Sequence, residues 1–251
     1  MAEGPPDFTP VTLITGCLGS GKTTLLQRLL RDPALSDTAV LINEFGEVGL
    51  DHYLLERIDE RIVMLQSGCV CCTIRGELSA AIKDLHSRRE RGLLPPFRRL
   101  VIESTGLADP FPILSTVRSD PVLRHHFCLG NVITTVDAVN GAQQLTAQPE
   151  SIKQVAVADR LVLTKTDLAT AEEIAQLTSR LRHINSDAPL WRGPRTNSMR
   201  TRCCQARITD PGSRRKRMTP CPTVTIATPT ISVPSLSVSR SASIGRDSAS
   251  G

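Results

Sequence analysis

Residues 11–24 read Val-Thr-Leu-Ile-Thr-Gly-Cys-Leu-Gly-Ser-Gly-Lys-Thr-Thr. Five apolar or β-branched residues, Val11–Thr15, predict a strand, and Gly16 to Thr23 satisfy the pattern G-x-x-x-x-G-K-[ST]. A helix is expected to start at Thr23–Thr24. The spacing has a chemical reason. Glycines let backbone N–H groups turn inward around a phosphate, and the start of the helix adds its positive dipole. Gly16, Gly19, Ser20, Gly21, Lys22, Thr23 and Thr24 are therefore expected to hold a nucleoside triphosphate. Lys22 would reach the β- and γ-phosphates, and the Thr23 hydroxyl would ligate Mg2+.

Working outward, short apolar runs alternate with helix-like stretches to about residue 190. The strand candidates are Val11–Thr15, Ala39–Ile42, Arg61–Leu65, Leu100–Glu103, Val132–Val136, Arg160–Thr164 and Ala188–Leu190. Several are continuously apolar, as strands covered on both faces are. Helical stretches at Lys22–Arg31, Gly76–Arg91 and Ala171–His183 lie between them; in the last, Ile174, Leu177, Leu181 and Ile184 recur at helical spacing. This alternation predicts an α/β fold, a mostly parallel sheet with helices on both faces, of the P-loop NTPase type. The expected division is a flexible N-terminus at 1–10, a nucleotide-binding domain at 11–190 and a basic tail at 191–251. The tail holds 11 of the 30 Lys and Arg residues but 2 of the 25 Asp and Glu, so it carries +9 against −4 for the rest. Its Ser, Thr and Pro content argues against independent folding.

A triphosphate site needs a second Mg2+ ligand and a γ-phosphate sensor. Leu100-Val-Ile-Glu103-Ser-Thr-Gly106 supplies both. Glu103 closes an apolar strand, where parallel strands deliver residues to the ligand edge of the sheet, and Gly106 can offer its N–H to the γ-phosphate. Lys22, Thr23 and Glu103 are thus the expected catalytic set. Base choice is read in Thr164-Lys165-Thr166-Asp167. This resembles the guanine motif Asn-Lys-x-Asp, with Thr164 in place of Asn. The Asp167 carboxylate would accept from guanine N1 and N2, and the Lys165 stem would cover the base. GTP is the expected nucleotide. No general base for water activation is readable, so slow intrinsic turnover is expected.

Six ordered segments together are similar to a known family. They are Gly16–Thr24, Asn43–Gly49 (Asn-Glu-Phe-Gly-Glu-Val-Gly), Gly68–Thr73 (Gly-Cys-Val-Cys-Cys-Thr), Glu103–Pro110, Val136–Ala138 and Thr164–Asp167. The chain resembles a CobW-type member of the metal-chaperone GTPases, the family that includes the nickel-insertion GTPases for urease and hydrogenase. The match covers about three-quarters of the sequence. The resemblance implies GTP hydrolysis coupled to handling of a transition metal, most plausibly zinc, for delivery to a client protein. Cys69, Cys71 and Cys72 are then the expected metal ligands. Their side chains diverge on a regular strand or helix, but a tight turn signalled by Gly68 can converge two or three thiolates. Zn2+ suits thiolates and tetrahedral geometry, and Co2+ or Cu(I) are chemically compatible. A fourth ligand is Glu44, as the resemblance suggests, or water. Buried small residues or a redox thiol pair are the alternatives for the same cysteines. GTP with Mg2+ would order the segment of Asn43–Gly49 and the cysteine turn, and hydrolysis would release it.

The remaining features bound the reading. With 40% hydrophobic and 22% charged residues the composition is that of an ordinary globular protein, and no apolar run is long enough to span a membrane. The opening MAEGPPDFTP lacks the regions of a secretory signal, so a cytoplasmic location is expected, with the eight cysteines reduced. Cys17 reads as a tolerated small residue, and adjacent His125 and His126 read as surface residues. Arg214–Arg217 is the best nucleic-acid patch, but four basic residues without interleaved aromatics argue against that role. A homodimer is compatible with the sequence. Past Ile184–Leu190 the resemblance stops, and the tail composition suggests a shifted reading frame over what is normally a His-rich linker and C-terminal domain. The competing functions are a nucleotide-switched zinc sensor or store without delivery, and a non-functional truncated product.

Overall fold

The computed structural model describes residues 8–44, 62–66 and 73–193. In chain order the elements are β1 (Thr9–Gly16), α1 (Lys22–Leu30), β2 (Thr38–Glu44), β3 (Ile62–Gln66), α2 (Thr73–Glu90), β4 (Arg99–Glu103) and α3 (Pro110–Ser119). There follow α4 (Leu123–His126), β5 (Phe127–Asp137), α5 (Gly141–Ala147), α6 (Pro149–Ala156), β6 (Arg160–Thr164), α7 (Ala171–Ile184) and β7 (Leu190–Arg192). The strands form one seven-stranded sheet in the order β3-β2-β4-β1-β5-β6-β7, and every described pairing is parallel. All strands therefore end on the same edge, with β1 at the centre.

The alternation of side chains along β1 explains why its sequence is apolar throughout. Val11 and Leu13 join Leu41, Leu100 and Ile102 on one face, packed against Leu78 and Ile82 of α2 and Ile113 and Val117 of α3. Ile14 points the other way, with Val40, Ile42 and Val101, onto Leu25, Leu26 and Leu29 of α1. A third cluster joins Leu161 and Leu163 of β6 to Ile174, Leu177 and Leu181 of α7 and Val155 of α6. Each fully buried Leu or Ile contributes about 2 kcal/mol relative to exposure. The start of α7 is fixed locally by a capping box. Thr170 accepts from the Glu173 N–H at 3.2 Å while the Glu173 carboxylate accepts from the Thr170 N–H at 2.8 Å.

Most boundaries differ from the sequence expectation by one to three residues, and three have a clear local cause. Helix α1 begins at Lys22, as the helical stretch Lys22–Arg31 has it and one residue before the start expected at Thr23–Thr24, because Gly21 takes the N-cap in the left-handed region (φ 87°) and lets the helix start at once. Strand β5 runs from Phe127, not Val132; its first half pairs with Thr9–Val11 across a register irregularity between Val11 and Leu13. Strand β7 lies at Leu190–Arg192 instead of Ala188–Leu190. Pro189 has no N–H to donate, so its carbonyl takes the Leu161 N–H (3.0 Å) and the ladder begins at Leu190. The described fold thus continues past residue 190 through Trp191 and Arg192. His125 and His126 are both exposed. Among the described residues no helix is long and apolar enough to cross a membrane. Cys69, Cys71, Cys72, most of the segment Asn43–Gly49, and the tail from residue 194, with Arg214–Arg217, lie outside the described residues.

Asp120 ties α2 to α4. Its carboxylate accepts from Ser79 Oγ (2.5 Å), Lys83 Nζ (2.7 Å) and the backbone N–H groups of Val122 (2.9 Å) and Leu123 (3.2 Å). Burial opposes its charge, yet the Lys83 ammonium, the Ser79 hydroxyl and the two N–H groups hold its pKa far below the usual carboxylate range. A depressed folded pKa gives stability that is present above the unfolded value and lost as pH falls through the folded one. Asp120→Ala should therefore cost ~1–2 kcal/mol at pH 7. In urea melts the gap from wild type should narrow below pH ~4, the unfolded carboxylate value.

Candidate functional site

The loop between β1 and α1 turns through positive φ at Gly16 (140°), Gly19 (72°) and Gly21 (87°). At Gly16 the requirement is also one of space. A Cβ there would lie 2.4 Å from both the carbonyl oxygen and Oγ1 of Thr135 on β5, and 2.7 Å from Ser20 Oγ. The loop is pinned on three sides. Ser20 Oγ and Thr135 Oγ1 are 2.6 Å apart, Gln144 Nε2 donates to Leu18 O at 3.2 Å, and the Ser20 N–H closes onto Cys17 O at 3.1 Å. Lys22 is buried, and its Nζ donates to Cys17 O at 3.1 Å, so the ammonium lies folded over the loop it is expected to serve. No acidic side chain occupies the first turn of α1, which leaves the positive end of its dipole for a phosphate.

The expected Mg2+ pair is assembled. Thr23 Oγ1 donates to Glu103 Oε1 at 2.6 Å, and Glu103 is only 2% exposed. Pairing of β1 with β4, with Ile14 opposite Glu103, produces this meeting. The ladder extends one step further, as the Ser104 N–H donates to Ile14 O (3.0 Å) and Ser104 Oγ to Thr15 Oγ1 (2.9 Å). Gly106 then lies against the loop. A Cβ on it would come within 2.4 Å of Leu18 N and 2.6 Å of Leu18 Cα. The donor set of Thr23 and Glu103, two hard oxygens on one buried edge, fits a small divalent cation that keeps several waters.

On the other side of β1, the base segment follows β6. Thr164 Oγ1 donates to Ser20 O at 2.8 Å and stands within 3.2 Å of Val136 O. The threonine that departs from the guanine motif therefore bonds the base segment directly to the phosphate loop. Lys165 adopts φ 53°, the one positive value at a non-glycine residue among those described. Its ammonium lies 2.7 Å from Asp137 Oδ2. Asp137 is buried, which opposes its charge. Lys165, the Asn140 side chain and the N–H groups of Val139 and Asn140 nevertheless hold its pKa below the ordinary carboxylate value. Asp167 is exposed and accessible to a ligand. Thr135 and Asp137 were assigned no role from sequence. Their signal was there: two threonines and an aspartate inside the apolar run Val132–Asp137. Cys17 is buried, and burial pushes its thiol pKa up despite the neighbouring Ser151 hydroxyl. It is a packed thiol, not a nucleophile.

For the metal ligands the backbone gives position only. Glu44 is the last residue of β2 and is the register partner of Gln66, the last residue of β3. The chain on the way to Cys69 thus leaves the sheet beside Glu44, on the edge that also holds Gly16 and Glu103. Among the described residues no group of three or more His, Cys, Asp or Glu side chains is placed to hold a metal.

Residues 10–192 match the family described as CobW/HypB/UreG, nucleotide-binding domain. The chain is similar to the zinc chaperone YjiA of Escherichia coli, 44% identical over 181 residues, covering 72% of this chain and 56% of YjiA. It is 34% identical to the zinc-regulated GTPase metalloprotein activator 1 of Schizosaccharomyces pombe, covering 71% of this chain and 44% of that one. Among solved structures, zinc(II)-bound YjiA GTPase superposes with a TM-score of 0.59 at 36% identity, over 78% of this chain and 59% of the other. The chain spans about half the length of the curated relatives it matches.

Gly106→Ala should force the phosphate loop away from the segment that follows Glu103, because the obstructing atoms are backbone. Overpacking of ~1–3 kcal/mol corresponds to a loss of about ten- to a hundredfold in triphosphate affinity. Fluorescent-nucleotide titration checks this, with circular dichroism to confirm the fold.

Proposed function

The chain belongs to the CobW/HypB/UreG nucleotide-binding family, and we propose on that footing that it is a GTP-hydrolysing metallochaperone carrying zinc to a client metalloprotein. The nucleotide half of the reading is supported by the Thr23–Glu103 contact beside Lys22. The metal half is supported by the register that sets Glu44 against Gln66 on the same sheet edge.

In this reading the β-phosphate of GTP sits in the N–H cradle of Gly16–Thr23, and Lys22 exchanges the Cys17 carbonyl for the β- and γ-phosphate oxygens. Thr23 and Glu103 would hold Mg2+, which would supply charge to offset that developing on the phosphates. Gly106 presents its N–H to the γ-phosphate. Asp167 accepts from guanine N1 and N2, while Asp137 orients Lys165 so that its stem covers the base. Water attacks the γ-phosphorus, the bond to the β–γ bridging oxygen breaks, the water's proton passes to a phosphate oxygen and on to solvent, and GDP and phosphate leave.

Zinc is cargo in this scheme. Cys69, Cys71 and Cys72 supply thiolates, with Glu44 or water completing a tetrahedral set. Residues 45–61 and 67–72 connect the ends of β2 and β3 to the elements that follow. In this reading the coupling runs through the sheet edge on which β2 and β3 end and where Glu103 also stands.

Lys22→Ala should lower GTP hydrolysis by about a hundredfold or more. Zinc competition titrations with a GTP analogue, GDP and no nucleotide should give affinities differing by about tenfold between nucleotide states. Cys71→Ser should remove most of the binding in all three. Equal zinc affinities across the states contradict the coupling. Turnover that changes on adding zinc separates a delivery GTPase from a zinc store.

A further inference from the structure

Gln154 is 1% exposed, and its whole amide is engaged. Nε2 donates to Gly106 O at 3.3 Å and to Ala108 O at 3.0 Å, while Oε1 faces the Cys17 thiol at 4.0 Å. Two carbonyl acceptors fix which end of the amide is nitrogen. An amide buried at this depth is costly unless its bonds are made. Here both strong bonds go to one short segment, the turn that follows Glu103. The helix that carries Gln154 is anchored independently: Thr134 Oγ1 of β5 donates to Gln154 O at 2.7 Å. Two other residues of α6 reach the same two neighbours. Ser151 Oγ meets the Cys17 thiol in the phosphate loop, and Lys153 Nζ pairs with Asp109 Oδ2 at 2.8 Å, just beyond Ala108.

We infer that Gln154 is a positioning residue for recognition of the γ-phosphate. Its amide holds residues 106–108 from behind, so that Gly106 lies against Leu18 of the phosphate loop. Leu18 limits the segment on one side and Gln154 on the other. Gln154 touches no phosphate itself. The turn is short, and among the described residues its internal backbone bonding is the Ala108 N–H to Thr105 O, at 3.2 Å. Without Gln154, the buried Gly106 carbonyl and the part-buried Ala108 carbonyl would turn to find other donors and the Gly106 N–H would lose its aim. The GDP contacts, made by residues 16–24 and 164–167, do not pass through this segment. The inference deepens the proposed function and rests on its reading of Gly106 as the γ-phosphate donor.

The test is a pair of affinities, for GDP and for a non-hydrolysable GTP analogue with Mg2+, together with kcat and KM for GTP. It compares the full chain with Gln154→Met, which keeps length and burial but removes the amide. The expected result is GDP affinity within about twofold of wild type, analogue affinity weakened about tenfold and kcat lowered about tenfold. A residue that merely filled space behind the loop would weaken both nucleotides alike. That outcome, or no change in either, overturns the inference. Lys153→Met, on the exposed turn of the same helix, covers the case in which Gln154→Met does not fold. It should shift the analogue-to-GDP ratio two- to threefold, and an unchanged ratio overturns the inference. The wild-type arm tests the premise separately. If wild type shows no dependence on the γ-phosphate, the reading of Gly106 fails and the inference falls with it.

Discussion

Parallel pairing of β1 with β4, in the register that sets Ile14 opposite Glu103, governs the rest of the site. Parallel strands deliver their last residues to a common edge. Here Glu103 arrives beside the first turn of the helix that β1 feeds, where Thr23 meets it at 2.6 Å. A slip of one residue would reverse which face Glu103 presents and set Ile102 or Ser104 opposite Ile14 instead. That register is enforced by burial, since Leu13 and Ile14 are packed on opposite faces and neither can be exchanged for solvent. The hydrophobic core and the phosphate site are thus one constraint seen from two ends of the same strands.

Charge is arranged around that edge in opposing pairs. The phosphate loop offers N–H groups, a helix start without acidic residues and the Lys22 ammonium. Glu103 supplies a buried carboxylate whose presence makes sense beside a cation. Across β1, Asp137 is buried and kept ionised by Lys165 and its neighbours. This pair holds the backbone of Lys165 in a conformation that a non-glycine residue seldom adopts. The two halves of the nucleotide site are not independent either. The Thr164 hydroxyl reaches the Ser20 carbonyl, so displacement of the base segment is felt by the phosphate loop.

Much of this was legible in the sequence, for identifiable reasons. Val11–Thr24 combines a continuous apolar run with a glycine pattern that few structures other than a phosphate loop require, so strand, loop and helix could be placed together. The placement of Glu103 at the sheet edge beside Thr23 was readable because it ends an apolar strand, and Asp167 was singled out because it follows one. What the sequence did not disclose depended on partners far apart along the chain. Asp137 and Thr135 acquire meaning only once β5 lies beside β1, and Gln154 only once α6 packs behind Gly106. The start of β7 was misplaced because a local reading of Ala188–Leu190 ignored that Pro189 cannot donate to the ladder. The contact that Thr164 makes with Ser20 O was likewise unreadable, because it needs the phosphate loop and the end of β6 side by side.

The family, the fold and the described edge of the sheet support a nucleoside-triphosphate site, and the proposed reading assigns its base to Asp167. Calorimetric titration of the purified chain with Mg2+–GTP and Mg2+–ATP tests that most directly. The account predicts GTP bound about a hundredfold more tightly, since a carboxylate facing guanine N1 and N2 finds no matching donors on adenine and is left unpaired. Equal affinities for the two nucleotides would contradict it.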